Sequence, residues 1–459
     1  MSADDRHPRD RLARQLTLTD ATMLVVSSVI GVGIFLTPGT VANMLPHPGL
    51  VLGVWLVGGL LSLAGALANA ELGAMYPHAG GDYVYLREAF HPLAGFLVGW
   101  LTFFVIYSGT VATLAVGFAD ALAPFMSLGP QSKVVVAIGV TLVTSAVNYV
   151  GVRAGAQFNN VTALLKIAAL AALAVAGPLF GRGDVSHFQP LVSGAGAIPL
   201  SGIGLALSPV LFSYLGWNAS IYVASEIRRP DRNLPLSLFL GLGICAALYL
   251  LLNAVYLYAL PVDVMRSQQS VGESAARALF GDVGGTIAAI LILASVLGCL
   301  NATILVGPRI AYAMALDGRF FRGVDGVHAT HGTPHVAVVA QAIASVALIA
   351  LLESFPSILD YTTFAIVLAT MADIGALYRL RRLRPDARRP HVAWGYPLVP
   401  ALYLLANAAI ALSMMWGRPV ECAIAVGVLL MGLPFYVYFR GDDAAPLAQG
   451  DAERRSVRR

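Results

Sequence analysis

SSVIGVGIF, residues 27–35, lies inside an apolar run at about 20–45 that is long enough to cross a bilayer. Gly31 and Gly33 fall near the middle of that run. A glycine inside a helix costs about 1 kcal/mol relative to alanine. In hydrocarbon an opened backbone costs more, because freed N–H and C=O groups find no water. A broken helix at that depth is tolerated only where it lines a cavity or is buried in protein. The segment therefore points to a binding site within a membrane protein.

The composition agrees. Of 459 residues, 58% are hydrophobic and 12% charged, against about 25% charged in soluble domains. The charged N-terminal stretch MSADDRHPRDRLARQ is no cleavable signal peptide, since no short apolar stretch with a small-residue cleavage site follows it. A net charge of +4 points to no nucleic-acid partner. Cys245, Cys299 and Cys422 all fall in apolar runs with no metal-site spacing. They read as buried small hydrophobes, and no disulfide-linked partner subunit is expected. The nine histidines form no ligand pattern, so neither a metal nor a cofactor is expected.

Twelve runs have spanning length: about 20–45, 49–75, 93–123, 133–151, 155–180, 202–225, 236–260, 283–314, 335–353, 360–379, 396–416 and 419–439. The positive-inside rule tests this count. With the N-terminus placed in the cytoplasm, 23 of the 29 Lys and Arg residues fall on the cytoplasmic side and 5 outside; Lys166 stays within the membrane. Both termini are therefore expected in the cytoplasm, with tails at 1–19 and 440–459.

A second break follows in the sixth run, where residues 212–220 read FSYLGWNAS and Pro209 lies just upstream. Runs 1 and 6 hold corresponding places in two groups of five, at 20–180 and 202–380, with the last two runs (396–439) outside them. Paired interrupted segments mark inverted-repeat transporters. The alternative is two independent kinks, since Gly and Pro are frequent in membrane helices.

The breaks specify a ligand. The half-helix starting near Val32–Gly33 presents free N–H groups and a positive dipole end, which suit a carboxylate. The half-helix ending near Val29–Ile30, and the segment Phe212–Leu215, offer carbonyls that suit an ammonium. An anion cradle beside a cation cradle fits a zwitterion, that is, an α-amino acid. Glycine lets the ligand approach the backbone closely.

GVGIF in run 1, PHAGGDYVYLREAF at 77–90, FSYLGWN in run 6 and NATILVGPRIAYAMALDG at 301–318 together resemble the amino acid–polyamine–organocation superfamily. FSYLGWNASIYVASEIRRPDRNLP is most similar to its L-type amino acid transporter branch and bacterial relatives. The resemblance covers runs 1 to 10. It implies an all-α integral membrane protein of 12 helices, with a LeuT-like 5+5 inverted repeat and broken helices 1 and 6. It also implies a multi-pass permease or exchanger in the cytoplasmic membrane, not an enzyme. By position it puts the substrate carboxylate at Gly31, Val32 and Gly33, and the amino group at the carbonyls of Val29, Ile30, Phe212 and Leu215. It makes Phe212 the closing aromatic and Asn218 a polar neighbour. Many relatives carry Ser or Thr where Val32 stands, so here the carboxylate is held by backbone alone.

The same resemblance implies a side-chain pocket lined by runs 1, 3, 6, 8 and 10, with Tyr107, Ser213, Trp217 and Asn218 as candidate walls. No acidic residue sits at the second break, which argues for neutral substrates over arginine, lysine or polyamines.

Lys166 lies mid-membrane in FNNVTALLKIAALAAL, where a charge costs about 3 kcal/mol or more. A structural lysine bonded to carbonyls is the plain reading. In sodium-independent members of the family a lysine of run 5 stands in for a coupling cation. Lys166 is then expected to donate to carbonyls near Val26–Ser27 and to a run 8 hydroxyl such as Ser295, with no sodium requirement. Asp373 is expected to pair with Arg379 or Arg381, and Glu226 with Arg228 or Arg229. The alternatives carried forward are a transport-dead amino acid sensor, a proton-coupled symporter, and a cationic amino acid or polyamine antiporter.

Overall fold

A computed structural model describes residues 10–122, 125–192, 200–352 and 355–441. Of the two expected tails, residues 1–9 and 442–459 lie outside the described residues. Among the described residues every regular element is helical.

The first run folds as α1 (Leu18–Val29) and α2 (Gly33–Met44), bent by 42° at the break. A capping box starts α1: the Thr17 hydroxyl accepts from the Asp20 N–H while the Asp20 carboxylate accepts from the Thr17 N–H. Next come α3 (Pro48–Met75), the short α4 (Asp82–Ala89), α5 (Pro92–Leu101), a π-helical stretch at Thr102–Tyr107 and α6 (Ser108–Ala121). Then follow α7 (Pro130–Val150), α8 (Val152–Phe180), α9 (Leu200–Tyr214), α10 (Ala219–Tyr222), α11 (Pro230–Ala259) and α12 (Val262–Met265). The chain continues through α13 (Val271–Val306), α14 (Pro308–Leu316), α15 (His335–Leu352), α16 (Phe355–Leu383), α17 (Leu398–Gly417) and α18 (Pro419–Gly441). Proline opens many of these helices, where its missing N–H would have no intrahelical acceptor anyway.

Among the described residues nine segments are long and apolar enough to cross a membrane, and α1 with α2 makes a tenth. Two shorter apolar helices, Gly202–Tyr214 and His335–Leu351, fall within the two remaining expected runs. The eighth run departs most from expectation. Its helix begins at Val271 instead of 283, with a kink at Gly281 (φ 73°) separating a first amphipathic part from the apolar remainder. Leu142 and Val143 on α7, Val161 and Leu164 on α8, and Leu402, Leu405 and Leu412 on α17 are exposed. Contiguous apolar faces of this kind belong against lipid.

Packing sets the site. α1 lies against α8, α11 and α13, and α2 against α9 and α13. The two broken runs are also tied together at one end. Leu16 N–H donates to the Glu226 carbonyl at 2.9 Å, and Arg228 N–H to the Leu16 carbonyl at 2.8 Å. This is the bridge that pairs Leu16 with Ile227. Leu12 and Leu16 are buried there.

Two expected ion pairs are replaced by others. Glu226 does not pair with Arg228 or Arg229, which stay exposed where the chain turns through a left-handed Arg229 (φ 49°). It pairs instead with buried Arg309 at 2.8 and 3.2 Å. Asp373 does not meet Arg379 or Arg381. Arg379 donates to the Ala89 carbonyl at 2.6 Å, and Arg381 binds buried Glu71 at 2.5 and 3.0 Å.

Candidate functional site

The two breaks face each other across a cavity of about 100 Å³. Its lining includes Val29, Gly31, Val32 and Gly33 from the first break, and Phe212, Ser213, Leu215, Gly216 and Asn218 from the second. The glycines make the approach possible. A methyl on Gly33 would lie 2.7 Å from Ser213 Oγ, and one on Gly216 (φ 96°) would lie 2.8 Å from the Ser28 carbonyl oxygen. Each break thus packs a glycine against the backbone region of the other.

The hydrogen bonds at the first break divide its groups. α2 starts at Gly33, with Val32 at the N-cap and no side-chain cap. The opening N–H groups of a helix have no intrahelical acceptor, so the start of α2 offers donors to the cavity. Gly31 N–H, by contrast, donates to the Val29 carbonyl at 2.8 Å. That carbonyl also accepts from the Tyr249 hydroxyl at 2.9 Å, and the same hydroxyl reaches the Ser213 carbonyl at 3.1 Å. The Ile30 carbonyl accepts from Lys166 Nζ at 2.7 Å and Ser295 Oγ at 3.0 Å. At the second break the Phe212 carbonyl accepts from Leu215 N–H at 3.0 Å.

Lys166 is buried and donates to the carbonyls of Ser27 (3.0 Å) and Ile30, with Ser27 Oγ at 3.4 Å. Ser27 is one of the expected acceptors, and Ile30 lies three residues further along the chain. Lys166 and Ser295 do not bond to each other in the expected way; they converge on one carbonyl, and neither lines the cavity.

Tyr107 reaches the cavity from the π-helical stretch, where Ser108 Oγ closes on the Phe103 carbonyl at 2.8 Å. A π-bulge rotates the residues after it and is frequent at functional sites. Trp217 does not line the cavity: its ring lies behind the break, where a methyl on Gly65 would meet both Trp217 and Tyr403.

Several lining residues carried no site signal in the sequence. Thr303 and Thr370 add hydroxyls, and Cys299 Sγ approaches the Ser28 carbonyl at 3.2 Å. Asp82 also lines the cavity, so an acidic group does reach the second break, from the connection between α3 and α5. Its Oδ2 accepts from the Tyr222 hydroxyl at 2.5 Å, and that hydroxyl accepts from Asn218 Nδ2 at 3.3 Å. The GG motif puts it there: Gly80 N–H donates to the Tyr222 carbonyl at 3.3 Å, and Gly81 (φ 48°) packs on the Tyr222 ring. All three cysteines are buried, and none forms a disulfide among the described residues.

A polytopic helical membrane protein with a cavity between two interrupted helices has the architecture of a permease. Residues 16–436 match the amino acid permease family, and the chain belongs to that family. It is 29% identical to the serine/threonine exchanger SteT of Bacillus subtilis (strain 168), over 94% of this chain and 98% of that one. It is 29% identical to the human b(0,+)-type amino acid transporter 1, over 93% and 88% of the two chains. It is also 29% identical to the large neutral amino acids transporter small subunit 2 of Mus musculus, over 94% and 81%. These matches place the chain among membrane transporters, not enzymes.

Proposed function

We propose that this protein is a secondary transporter of neutral amino acids, working by alternating access and without sodium. The observation that carries this reading is the pair of breaks facing one another across a single cavity, with a helix start on one side and turn carbonyls nearby. The opening N–H groups at Val32 and Gly33 hold the carboxylate. The amino group lies between the ends of α1 and α9, at the Phe212 and Leu215 carbonyls, since the Val29 and Ile30 oxygens each already accept two bonds and the Phe212 oxygen accepts one. Phe212 closes over the substrate, and Tyr107, Ser213 and Asn218 with the threonines contact its side chain. The hydroxyl-rich wall suits a small polar substrate, in keeping with the serine and threonine of the Bacillus subtilis exchanger's name.

Lys166 with Ser295 supports sodium independence, since the fixed ammonium fills carbonyls that a cation would otherwise need. Twelve spans, arranged as a 5+5 inverted repeat with both termini cytoplasmic, complete the proposal; the positive-charge asymmetry of the sequence supports the orientation. With every thiol buried, any partner subunit associates without a disulfide to this chain.

Asp82 favours a second reading, in which the cavity accepts a cationic side chain. One experiment separates the two. Purified protein in liposomes, preloaded with unlabelled amino acids, is assayed for uptake of labelled serine, threonine, leucine, lysine and arginine, with and without sodium. Trans-stimulated uptake of neutral amino acids, unchanged by sodium, is expected. Preference for lysine or arginine establishes the second reading, and uptake driven by a sodium gradient overturns sodium independence.

A further inference from the structure

Six arginines lie between residues 379 and 389, where α16 gives way to the connection that leads to α17. Four are committed within the protein. Arg379 donates to the Ala89 carbonyl, Arg381 and Arg389 bind buried Glu71, and Arg384 meets Glu88 at 3.1 Å and the Tyr76 hydroxyl at 2.7 Å. Arg382 and Arg388 are exposed and form no side-chain hydrogen bond or ion pair with any described residue, Asp386 included. Glu71 fixes where they stand. Its carboxylate accepts from Arg381 Nε at 3.0 Å, Arg389 Nε at 3.1 Å and the Ala393 N–H at 2.7 Å. These three are the chain neighbours of Arg382, Arg388 and Trp394, so one buried group gathers two free arginines and a tryptophan at one place. Trp394 is 77% exposed, and Leu398, Leu402, Leu405 and Leu412 continue from it as exposed residues of α17. Their spacing keeps the four leucines on one side of the helix.

We propose that Arg382, Arg388 and Trp394 form a binding site for the headgroup of an anionic phospholipid, whose acyl chains run along the leucine face of α17. A guanidinium matches phosphate oxygens with paired donors, and here two guanidinium groups have no partner in the protein. Tryptophan favours the level at which headgroups meet hydrocarbon. In the orientation proposed above, this end of α17 meets the inner leaflet, where basic residues beside a membrane helix attract anionic lipid. A free phosphate would use the arginines and leave the apolar face without a role; a phospholipid uses both. Diffuse attraction to a charged surface needs no fixed geometry, whereas Glu71 holds these three residues together. None of them lines the substrate cavity, so the site stands independently of the transported substrate.

The test uses the full-length protein, delipidated in a neutral detergent and titrated with phosphatidylglycerol, phosphatidylcholine or inorganic phosphate, with bound molecules counted by native mass spectrometry. Saturable binding of phosphatidylglycerol is expected ahead of phosphatidylcholine, and inorganic phosphate should not displace it. Each arginine beside an anionic headgroup is worth about fivefold in affinity, so Arg382→Gln/Arg388→Gln should weaken phosphatidylglycerol binding about thirtyfold. Arg228→Gln/Arg232→Gln removes two exposed arginines from another segment expected in the cytoplasm and should leave the affinity unchanged. Equal losses in the two double variants overturn the site, by reducing it to overall charge. Displacement by inorganic phosphate overturns the lipid as occupant, and equal binding of phosphatidylcholine overturns the role of the arginines. The wild-type preference between the two lipids answers the question even where a variant fails to fold.

Discussion

Gly33 of the first break lies against Ser213 of the second so closely that a methyl on Gly33 would sit 2.7 Å from the Ser213 hydroxyl and 2.9 Å from its Cα. Backbone cannot move aside as a flexible side chain can. Gly33→Ala is therefore expected to push the breaks apart and to misplace the start of α2. A displacement of about 1 Å in a positioned site can lower activity on the order of a hundredfold. Gly31→Ala would meet Cys299 Sγ at 3.3 Å, a contact a side chain can relieve. Initial uptake rates of the two variants in liposomes should separate them widely; equal losses would contradict the close approach.

Lys166→Met should leave the Ser27 and Ile30 carbonyls without their charged donor. Hydrogen bonds to charged groups contribute about 1.5–3 kcal/mol each, so a loss of uptake of roughly tenfold to a hundredfold is expected. Lys166→Arg should not restore it, because a planar guanidinium does not fit a site shaped for a point charge. Full activity of the Met variant would reduce the lysine to packing.

Val32→Ser tests the carboxylate cradle from the opposite direction. Val32 is the N-cap of α2 and contributes no side-chain bond. A hydroxyl there adds one acceptor or donor at the cavity wall, and a neutral hydrogen bond is worth about 1 kcal/mol. KM for a neutral amino acid should fall severalfold. A KM unchanged by this substitution would place the carboxylate away from the first break.

How far the sequence disclosed this site depends on distance along the chain. The breaks and Lys166 were visible because each is a local anomaly: paired glycines or a charge within an apolar run. Asp82 was not, because it lies outside the apolar runs, where a charge is no anomaly. It joins the second break only when the Gly80–Gly81 turn docks α4 beside Tyr222. Trp217 sits three residues past the end of α9, where the local rotation that decides whether it faces the cavity cannot be counted from a helical period. The π-helical stretch before Tyr107 likewise leaves no mark in the pattern of apolar residues. The partners of Glu226 and Asp373 follow the same rule. Sequence separation points to nearby arginines, while tertiary packing supplies Arg309 to the former and, among the described residues, no cation to the latter.

The Glu226–Arg309 pair yields a stability prediction. Both side chains are almost wholly buried. Removing one partner of such a pair costs about 3–5 kcal/mol, whereas replacing both by apolar residues is often near neutral. Glu226→Met should lower the thermal midpoint in detergent substantially. The double variant Glu226→Met/Arg309→Met should recover a large part of that loss. A double variant worse than the sum of the singles would show that the charges themselves stabilise the fold.

The Leu16–Ile227 bridge has a mechanical consequence. Its two backbone bonds fasten the lead-in of α1 to the segment that follows α10, so the interrupted helices share an anchor at one end. Neither can tilt alone without tearing that anchor. The pair therefore has fewer independent degrees of freedom than two separate levers. A stroke that opens the cavity either carries both as one lever arm or starts by unfastening residues 16 and 226–228. In the second case the anchor acts as a latch, and its strength sets the tempo of turnover.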